Sequence, residues 1–97
     1  MYYRITRYKA DASKRAAAMD WIDSMKSKIA QMGATHIDFV EFGPGEWANV
    51  ALFPSKREAD AALEQAIANF REAAQKGFVD PSSVQRSEGE VIRRVGG

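Results

Sequence analysis

The stretch from Ala34 to Pro54, ATHIDFVEFGPGEWANVALFP, constrains the fold more than any other part of the chain. The residues on either side of Gly43-Pro44-Gly45 are rich in β-branched and aromatic side chains, which is typical of strands. Glycine readily adopts positive φ, and proline cannot donate a backbone hydrogen bond, so these three residues predict a tight turn. We therefore expect a β-hairpin on which the rest of the chain packs.

Side chains along a strand point alternately to the two faces of a sheet, so the hairpin should have two different faces. One predicted face is almost wholly apolar and contains Ile37, Phe39, Ala48, Val50 and Leu52. The other mixes large aromatic side chains with polar ones and contains His36, Asp38, Val40, Phe42, Trp47, Asn49, Ala51 and Phe53. Because a face that packs on helices should be dry, we expect the mixed face to line a cavity or to meet another subunit.

The part of the chain before the hairpin predicts a strand and a helix. The strand covers Tyr2–Lys9, and the helix ends near Met32. Asp11 or Ser13 is placed to cap the start of this helix, and Gly33 stands where a C-terminal cap is expected. The helix is indicated by an apolar line with helical spacing that should pack on the sheet, formed by Ala18, Ile22, Met25, Ile29 and Met32.

The part of the chain after the hairpin predicts a second helix and a last strand. The helix should begin after Ser55, because Ser55 and Glu58 have the spacing of a capping box. Gly77 should end it. The last strand is predicted within Val84–Val95, with the clearest signal over Gly89–Val95.

The predicted order is strand, helix, strand, strand, helix, strand, which is typical of a ferredoxin-like βαββαβ fold of the α+β class. We expect a single domain over residues 1–97, with a four-stranded antiparallel sheet and both helices on one face. The first strand would add Tyr2, Arg4, Thr6 and Tyr8 to the open face that carries the mixed side of the hairpin. Exposing so many aromatic side chains to water is unfavourable, so we expect a homodimer that covers this face.

Composition excludes several classes of function. The net charge of +1, with both signs well mixed, argues against broad binding to nucleic acid or to a membrane. The chain has no cysteine, and its one histidine and scattered carboxylates form no metal-ligand pattern, so we expect neither a metal nor a cofactor. The first residues, MYYRITRYK, do not resemble a secretory signal, so a cytoplasmic protein is expected.

A few residues on the predicted open face have the chemistry of a functional site. Arg4 and Asn49 would lie on the two central strands, where they hold an anionic oxygen or make hydrogen bonds across an interface. His36, the only histidine, either moves a proton or simply bonds to Asp38 or solvent. Trp47 offers an aromatic ligand a flat wall and an N–H donor, or it packs in an interface.

Four stretches carry a family resemblance: ITRYKAD near the start, the end of the first helix at MGA, FVEFGPGEWANVALFPSKREADAALEQA, and VDPSSVQRSEGEVI. Together they span nearly the whole chain, and in pattern they resemble the antibiotic biosynthesis monooxygenase-like proteins of the dimeric α+β barrel superfamily. The resemblance implies a homodimer in which two sheets face each other, with space for a small aromatic ligand beside each sheet. Some members oxidise polycyclic phenols with molecular oxygen and without metal or flavin, and others degrade haem.

The oxygen-using members imply roles for the candidate residues. A phenolate can itself give an electron to oxygen, so the protein needs only to bind it, stabilise the anion and assist a proton transfer. The strand alternation, which would place them on one face, assigns Arg4 and Asn49 to stabilise the anion and His36 to move the proton. The aromatic ring would be held by Trp47, Tyr2, Tyr8, Phe42 and Phe53. Haem chemistry is not implied, because the second helix contains no histidine.

Two other functions fit the same order of elements. An RNA-recognition module stacks bases on aromatic residues of its first and third strands. Its signature is missing here, since Glu46 places an acidic residue directly before Trp47. A dimer that binds a ligand or has a structural role, without turnover, is the other alternative.

Overall fold

The fold is a four-stranded antiparallel sheet with helices on one face, in a computed structural model that describes residues 1–96. The strands are β1 (Tyr2–Lys9), β2 (His36–Gly43), β3 (Glu46–Phe53) and β4 (Gln85–Glu90). The helices are α1 (Arg15–Ser24), α2 (Lys26–Ala30) and α3 (Lys56–Gln75). The strand order is β2-β3-β1-β4, so the first and third strands are central. The predicted ferredoxin-like α+β arrangement is therefore confirmed.

The first helical segment is broken at Met25, whereas the apolar pattern predicts one continuous helix. Ser24 Oγ donates a hydrogen bond to the carbonyl oxygen of Trp21 at 2.6 Å, and such side-chain bonding to the preceding turn bends helices. Before α1, Asp11 is the capping residue of a short 3-10 turn. Its Oδ1 accepts hydrogen bonds from the backbone N of Ser13 at 3.0 Å and from the Ser13 hydroxyl at 2.6 Å.

The second predicted helix is α3, and its bounds agree with the sequence signals. It begins directly after Ser55 and ends before Gly77, whose φ of +78° is typical of a C-terminal cap. The reciprocal capping box is not formed, because the Ser55 hydroxyl donates to the Glu58 carboxylate instead of accepting from a backbone amide. The helix starts at the predicted residue because Ser55 itself has an extended backbone.

The hairpin contains one extra residue in β2, and this residue decides which side chains share a face. Gly43 pairs with Glu46 across the turn, but Glu41 pairs with Trp47, so Phe42 forms a β-bulge. Simple alternation around the turn would pair Phe42 with Trp47 and place both on one face. The bulge puts them on opposite faces of the sheet.

The predicted faces are confirmed for β2 and wrong for β1 and β3. The two central strands change face together because they pair in register, with Tyr8 opposite Trp47 and Arg4 opposite Ala51. The side that packs on the helices contains Tyr2, Arg4, Thr6, Tyr8, Trp47, Asn49, Ala51 and Phe53, which alternation alone assigns to the open face. The open face instead contains Tyr3, Ile5, Arg7, Ala48, Val50 and Leu52, beside His36, Asp38, Val40 and Phe42 of β2.

The last strand ends earlier than the sequence pattern predicts. Its clearest predicted part, Gly89–Val95, lies mostly beyond the end of β4 at Glu90. The partner strand β1 begins at Tyr2, which pairs with Glu90, so the chain beyond this point has no strand beside it. Ile92 and Val95 are consequently 94% and 90% exposed.

Candidate ligand-binding cavity

A cavity of about 90 Å³ lies between the helices and the sheet side that packs on them. It borders both clusters of buried core residues, the one around Phe53 and the one around Tyr8 and Trp47. Small side chains leave this space open, because alanines stand where longer apolar residues would fill it: Ala18, Ala51, Ala66 and Ala73. The rest of the wall is mainly apolar and includes Ile22, Met25, Ile29, Phe39 and Phe70.

Tyr8 and Asn49 form a polar pair in the cavity wall. They are diagonal neighbours on β1 and β3, since Tyr8 pairs with Trp47 and Thr6 pairs with Asn49. The Tyr8 hydroxyl donates to Asn49 Oδ1 at 2.6 Å, and the Tyr8 ring packs edge-on against Phe70 with ring centres 5.1 Å apart. Burial raises the pKa of Tyr8 well above its ordinary value, so the hydroxyl stays neutral and acts as a donor.

Arg4 is a buried cation beside the cavity and is only 3% exposed. Its Nη2 donates to the carbonyl oxygen of Ala59 at 2.6 Å and to Glu88 Oε1 at 3.2 Å. The guanidinium carbon lies 5.4 Å from the centre of the Phe53 ring, within range of a cation–π contact. Nε is buried without a partner. Arg4 therefore holds α3 and β4 to β1, a structural role in addition to its place at the cavity.

Asn69 of α3 lines the cavity and is a residue that the sequence analysis missed. Its Oδ1 accepts a hydrogen bond from Gln65 Nε2 at 2.7 Å, and its Nδ2 lies 3.7 Å from Met32 Sδ. A signal was available in the sequence, because this carboxamide interrupts the apolar stripe of α3 formed by Ala59, Ala62, Ala66, Phe70 and Ala73.

The structure brings together only part of the predicted site. The predicted residues that line the cavity are Arg4, Tyr8, Trp47, Asn49 and Phe53. Tyr2 instead packs in the core cluster around Phe53. His36 and Phe42 lie on the open face. His36 Nε2 is 3.8 Å from Asp38 Oδ2, and the centre of the Phe42 ring is 4.5 Å from the guanidinium carbon of Arg7. The sheet therefore separates His36 from Arg4 and Asn49, so the expected cluster of these three residues is not formed.

The cavity offers hydrogen-bonding groups. Its polar residues carry a guanidinium, two hydroxyls and two carboxamides, and they are Arg4, Thr6, Tyr8, Asn49 and Asn69.

Within residues 1–96, no group of three or more His, Asp or Glu side chains is placed to hold a metal ion. No helix in this part of the chain is both long enough and apolar enough to cross a membrane.

The fold and the cavity define a class of protein: a ferredoxin-like α+β chain with a space between its sheet and its helices. No protein-family model and no curated protein sequence matches the chain. Among solved structures it is similar to NE2512, a protein of unknown function from Nitrosomonas europaea, with 20% identity, a TM-score of 0.74, and 99% of this chain and 93% of that chain covered.

Two further solved structures are similar over nearly their whole length. Rv0793 from Mycobacterium tuberculosis has 18% identity and a TM-score of 0.65, with 98% of each chain covered. Atu4242 from Agrobacterium tumefaciens has 16% identity and a TM-score of 0.64, with 96% of this chain and 95% of that chain covered. At these identities the likenesses show the fold alone.

Proposed function

We propose that the chain is a homodimeric cytoplasmic protein that binds a small phenolic or quinol-type molecule in its cavity and oxidises it with molecular oxygen, without a cofactor. The observation that carries the binding proposal is an apolar cavity whose wall contains the Tyr8–Asn49 pair. Apolar walls hold an aromatic ring by burial, and a few fixed polar groups orient it. The ligand's oxygen would lie at the polar pair and its ring among the apolar side chains.

The size of the cavity limits the ligand. At about 90 Å³ it is smaller than the engineered cavity of about 150 Å³ that binds benzene in another protein. A single aromatic ring therefore needs some movement of the wall. Met25 and Met32 can provide this movement, because methionine side chains are flexible and fit irregular spaces. We expect ligands with one ring.

The oxidation step rests on the resemblance to the monooxygenase-like proteins. One phenol and one dioxygen molecule give one quinone and one water, so a ring carbon gains one oxygen atom and the other leaves as water. The phenol supplies all the electrons, which is why no other reductant is needed. Hydrogen-bond donors that stabilise the phenolate favour loss of the phenol proton, and the phenolate is the form that gives an electron to oxygen. Arg4, Thr6 and Asn49 line the cavity as candidates for this task.

Binding without turnover is a second candidate, and one observation favours it. Among the described residues, the cavity wall contains no histidine and no carboxylate, since His36 lies on the other face of the sheet. Burial raises the pKa of Tyr8, so its hydroxyl stays protonated at neutral pH and cannot accept the proton of a substrate. Proton transfer during turnover would then fall to the substrate itself or to water.

The open face of the sheet suits a second copy of the chain better than a nucleic acid. The large aromatic side chains of β3 face the helices, so they cannot stack bases on the open face. This face has exposed apolar side chains, among them Ile5 and Phe42. It also carries the positive charge of Arg7 and the negative charge of Asp38. Two copies related by a two-fold axis would bury the apolar area and bring opposite charges together.

Titration with 4-fluorophenol, followed by fluorine NMR, tests the binding proposal. We expect saturable binding to the wild-type chain. Ala66→Leu fills the cavity from α3 and should abolish binding, whereas Ala68→Leu, at an exposed position of the same helix, should preserve it. Absence of saturable binding to the wild type would contradict the proposal, and equal binding by all three chains would place the probe outside the cavity.

Oxygen uptake distinguishes turnover from binding alone. With 2,6-dimethylphenol, which has a free ring position opposite its hydroxyl, the oxygenase proposal predicts one quinone formed for each dioxygen consumed. Oxygen-18 gas should label one oxygen atom of the quinone and one water. Saturable binding with no uptake above the rate in buffer would favour the second candidate.

A further inference from the structure

Two carboxamide side chains line the cavity, and the acceptor oxygen of each already accepts one hydrogen bond. Asn49 belongs to the sheet and Asn69 to α3, so the two approach the cavity from opposite layers. Asn49 Oδ1 accepts from the Tyr8 hydroxyl at 2.6 Å, and Asn69 Oδ1 accepts from Gln65 Nε2 at 2.7 Å. Each neighbour fixes the orientation of its carboxamide and leaves the NH2 group to donate.

The described part of the protein gives these NH2 groups little to donate to. Asn69 Nδ2 has only Met32 Sδ, at 3.7 Å, and a thioether sulfur is a weak acceptor. Of the other polar residues of the wall, Tyr8 and Arg4 act as donors themselves. The hydrogen bonds among the described residues include none from either NH2 group to the hydroxyl of Thr6, the remaining polar residue of the wall. An NH2 group that lines an apolar cavity gains a hydrogen bond when a ligand brings an acceptor, so such a ligand is favoured.

We propose that Asn49 and Asn69 together bind an acceptor oxygen of the ligand, namely the phenolate or carbonyl oxygen on an aromatic ring. This inference rests on the proposed function, because it assigns the polarity of the ligand in the same cavity. A ligand whose polar group only donates, such as an aromatic amine, leaves both NH2 groups unpaired and binds weakly. The two amides thus select the anionic form of a phenol and also hold its quinone product.

Acetophenone and α-methylstyrene are matched probes, because they have nearly the same shape and differ in a C=O against a C=CH2 group. Their affinities should be compared for the wild type, for Asn69→Leu and for the exposed control Ala68→Leu. We expect the ratio of ketone affinity to alkene affinity to fall about tenfold or more in Asn69→Leu, since a hydrogen bond is lost only with the ketone. The control should keep the wild-type ratio, and an unchanged ratio in Asn69→Leu would overturn the inference.

A second measurement needs only the wild-type chain. The infrared stretching frequency of the bound acetophenone carbonyl should be lower than in hexane, because N–H donors weaken the C=O bond. If the probe binds but its carbonyl frequency equals that in hexane, the role assigned to the two amides is contradicted, although binding in the cavity is not. Failure of the wild type to bind either probe or 4-fluorophenol would instead contradict the proposed function.

Discussion

At the scale of single residues, Tyr8 connects the hydrophobic core to the candidate site. Its ring packs against Phe70 and lies 6.3 Å from the centre of the Trp47 ring system, while its hydroxyl donates to Asn49 Oδ1. The same side chain therefore stabilises the fold and orients a carboxamide at the cavity. Removing the hydroxyl alone separates these two roles.

Tyr8→Phe keeps the ring and removes the hydroxyl. We expect the free energy of unfolding to fall by about 1–2 kcal/mol, because Asn49 Oδ1 loses its donor in apolar surroundings. Urea denaturation at neutral pH measures the change. Tyr3→Phe is the matched control on the open face, and we expect it to change stability by less than about 0.5 kcal/mol.

The same pair of variants tests the ionisation of Tyr8. Burial raises the pKa of Tyr8 in the folded state, so the stabilisation is fully present below about pH 10, the ordinary pKa of tyrosine in an unfolded chain. Above that pH the unfolded chain loses a proton that the folded chain keeps, and stability is lost as the pH rises. Tyr8→Phe should flatten this alkaline decline, and Tyr3→Phe should retain it. An equal decline in both variants would contradict the account.

At the scale of elements, local signals in the sequence were enough to predict the order of strands and helical segments. They did not predict the break at Met25 or the end of β4 at Glu90. Gly43, Pro44 and Gly45 predicted the turn, and Ser55 and Gly77 predicted the ends of α3. The face that each strand presents is not a local property. It depends on the register between β2 and β3, which the bulge at Phe42 shifts by one residue.

The candidate site was predictable only in part, for the same reason. Arg4, Tyr8 and Asn49 stood out by residue type, but alternation across a simple turn placed them on the face opposite to the one they occupy. That error also grouped His36 with them. Asn69 comes from a helix distant in sequence, so its place in the cavity depends on how α3 packs on the sheet.

Gly45 in the hairpin turn is under two constraints at once. Its φ is +75°, and a Cβ placed on it would lie 2.7 Å from the carbonyl oxygen of Ala10. Gly33 has a similar φ of +86° but nothing within 4 Å of such a Cβ, which makes it a matched control. We expect Gly33→Ala to cost about 1–2 kcal/mol for the backbone conformation alone.

Gly45→Ala should cost clearly more than Gly33→Ala, because the added methyl group also pushes Ala10 away from the turn. Ala10 N donates to the carbonyl oxygen of Gly45 at 2.8 Å, so this movement strains the hydrogen bond that joins the residue after β1 to the hairpin turn. Urea denaturation of the two variants measures the difference. Equal losses of stability in the two variants would show that the close contact between residue 45 and Ala10 does not add to the cost of the substitution.

At the scale of the whole molecule, the two faces of the sheet have different surroundings. The side under the helices forms the wall of the cavity, and the open side presents apolar residues to solvent in the single chain. Outside the sheet, the segment after β4 also exposes Ile92 and Val95 to solvent. A chain of 97 residues buries a modest share of its surface, so covering this side with a second copy would add to its stability.

Light scattering at micromolar concentration tests the proposed homodimer. We expect the wild type to have the mass of two chains and Ile5→Glu to shift the mass toward one. Ile67→Glu is a close control, because Ile67 is 37% exposed and Ile5 is 39% exposed. Ile5 lies on the open face of the sheet, whereas Ile67 lies on α3. A monomeric wild type would contradict the dimer, and a dimer that tolerates Ile5→Glu would contradict its assignment to this face.

The central claim is that the space between sheet and helices binds a phenolic ring, and a nitrogen-15 NMR titration with 4-fluorophenol tests it most directly. We expect the side-chain amide signals of Asn49 and Asn69 to move and to saturate with the same Kd as the fluorine titration. The backbone signals of Ile5 and Val50, on the open face, should move far less. The account would be contradicted if saturable signal shifts occurred only at residues of the open face, or if neither carboxamide signal moved.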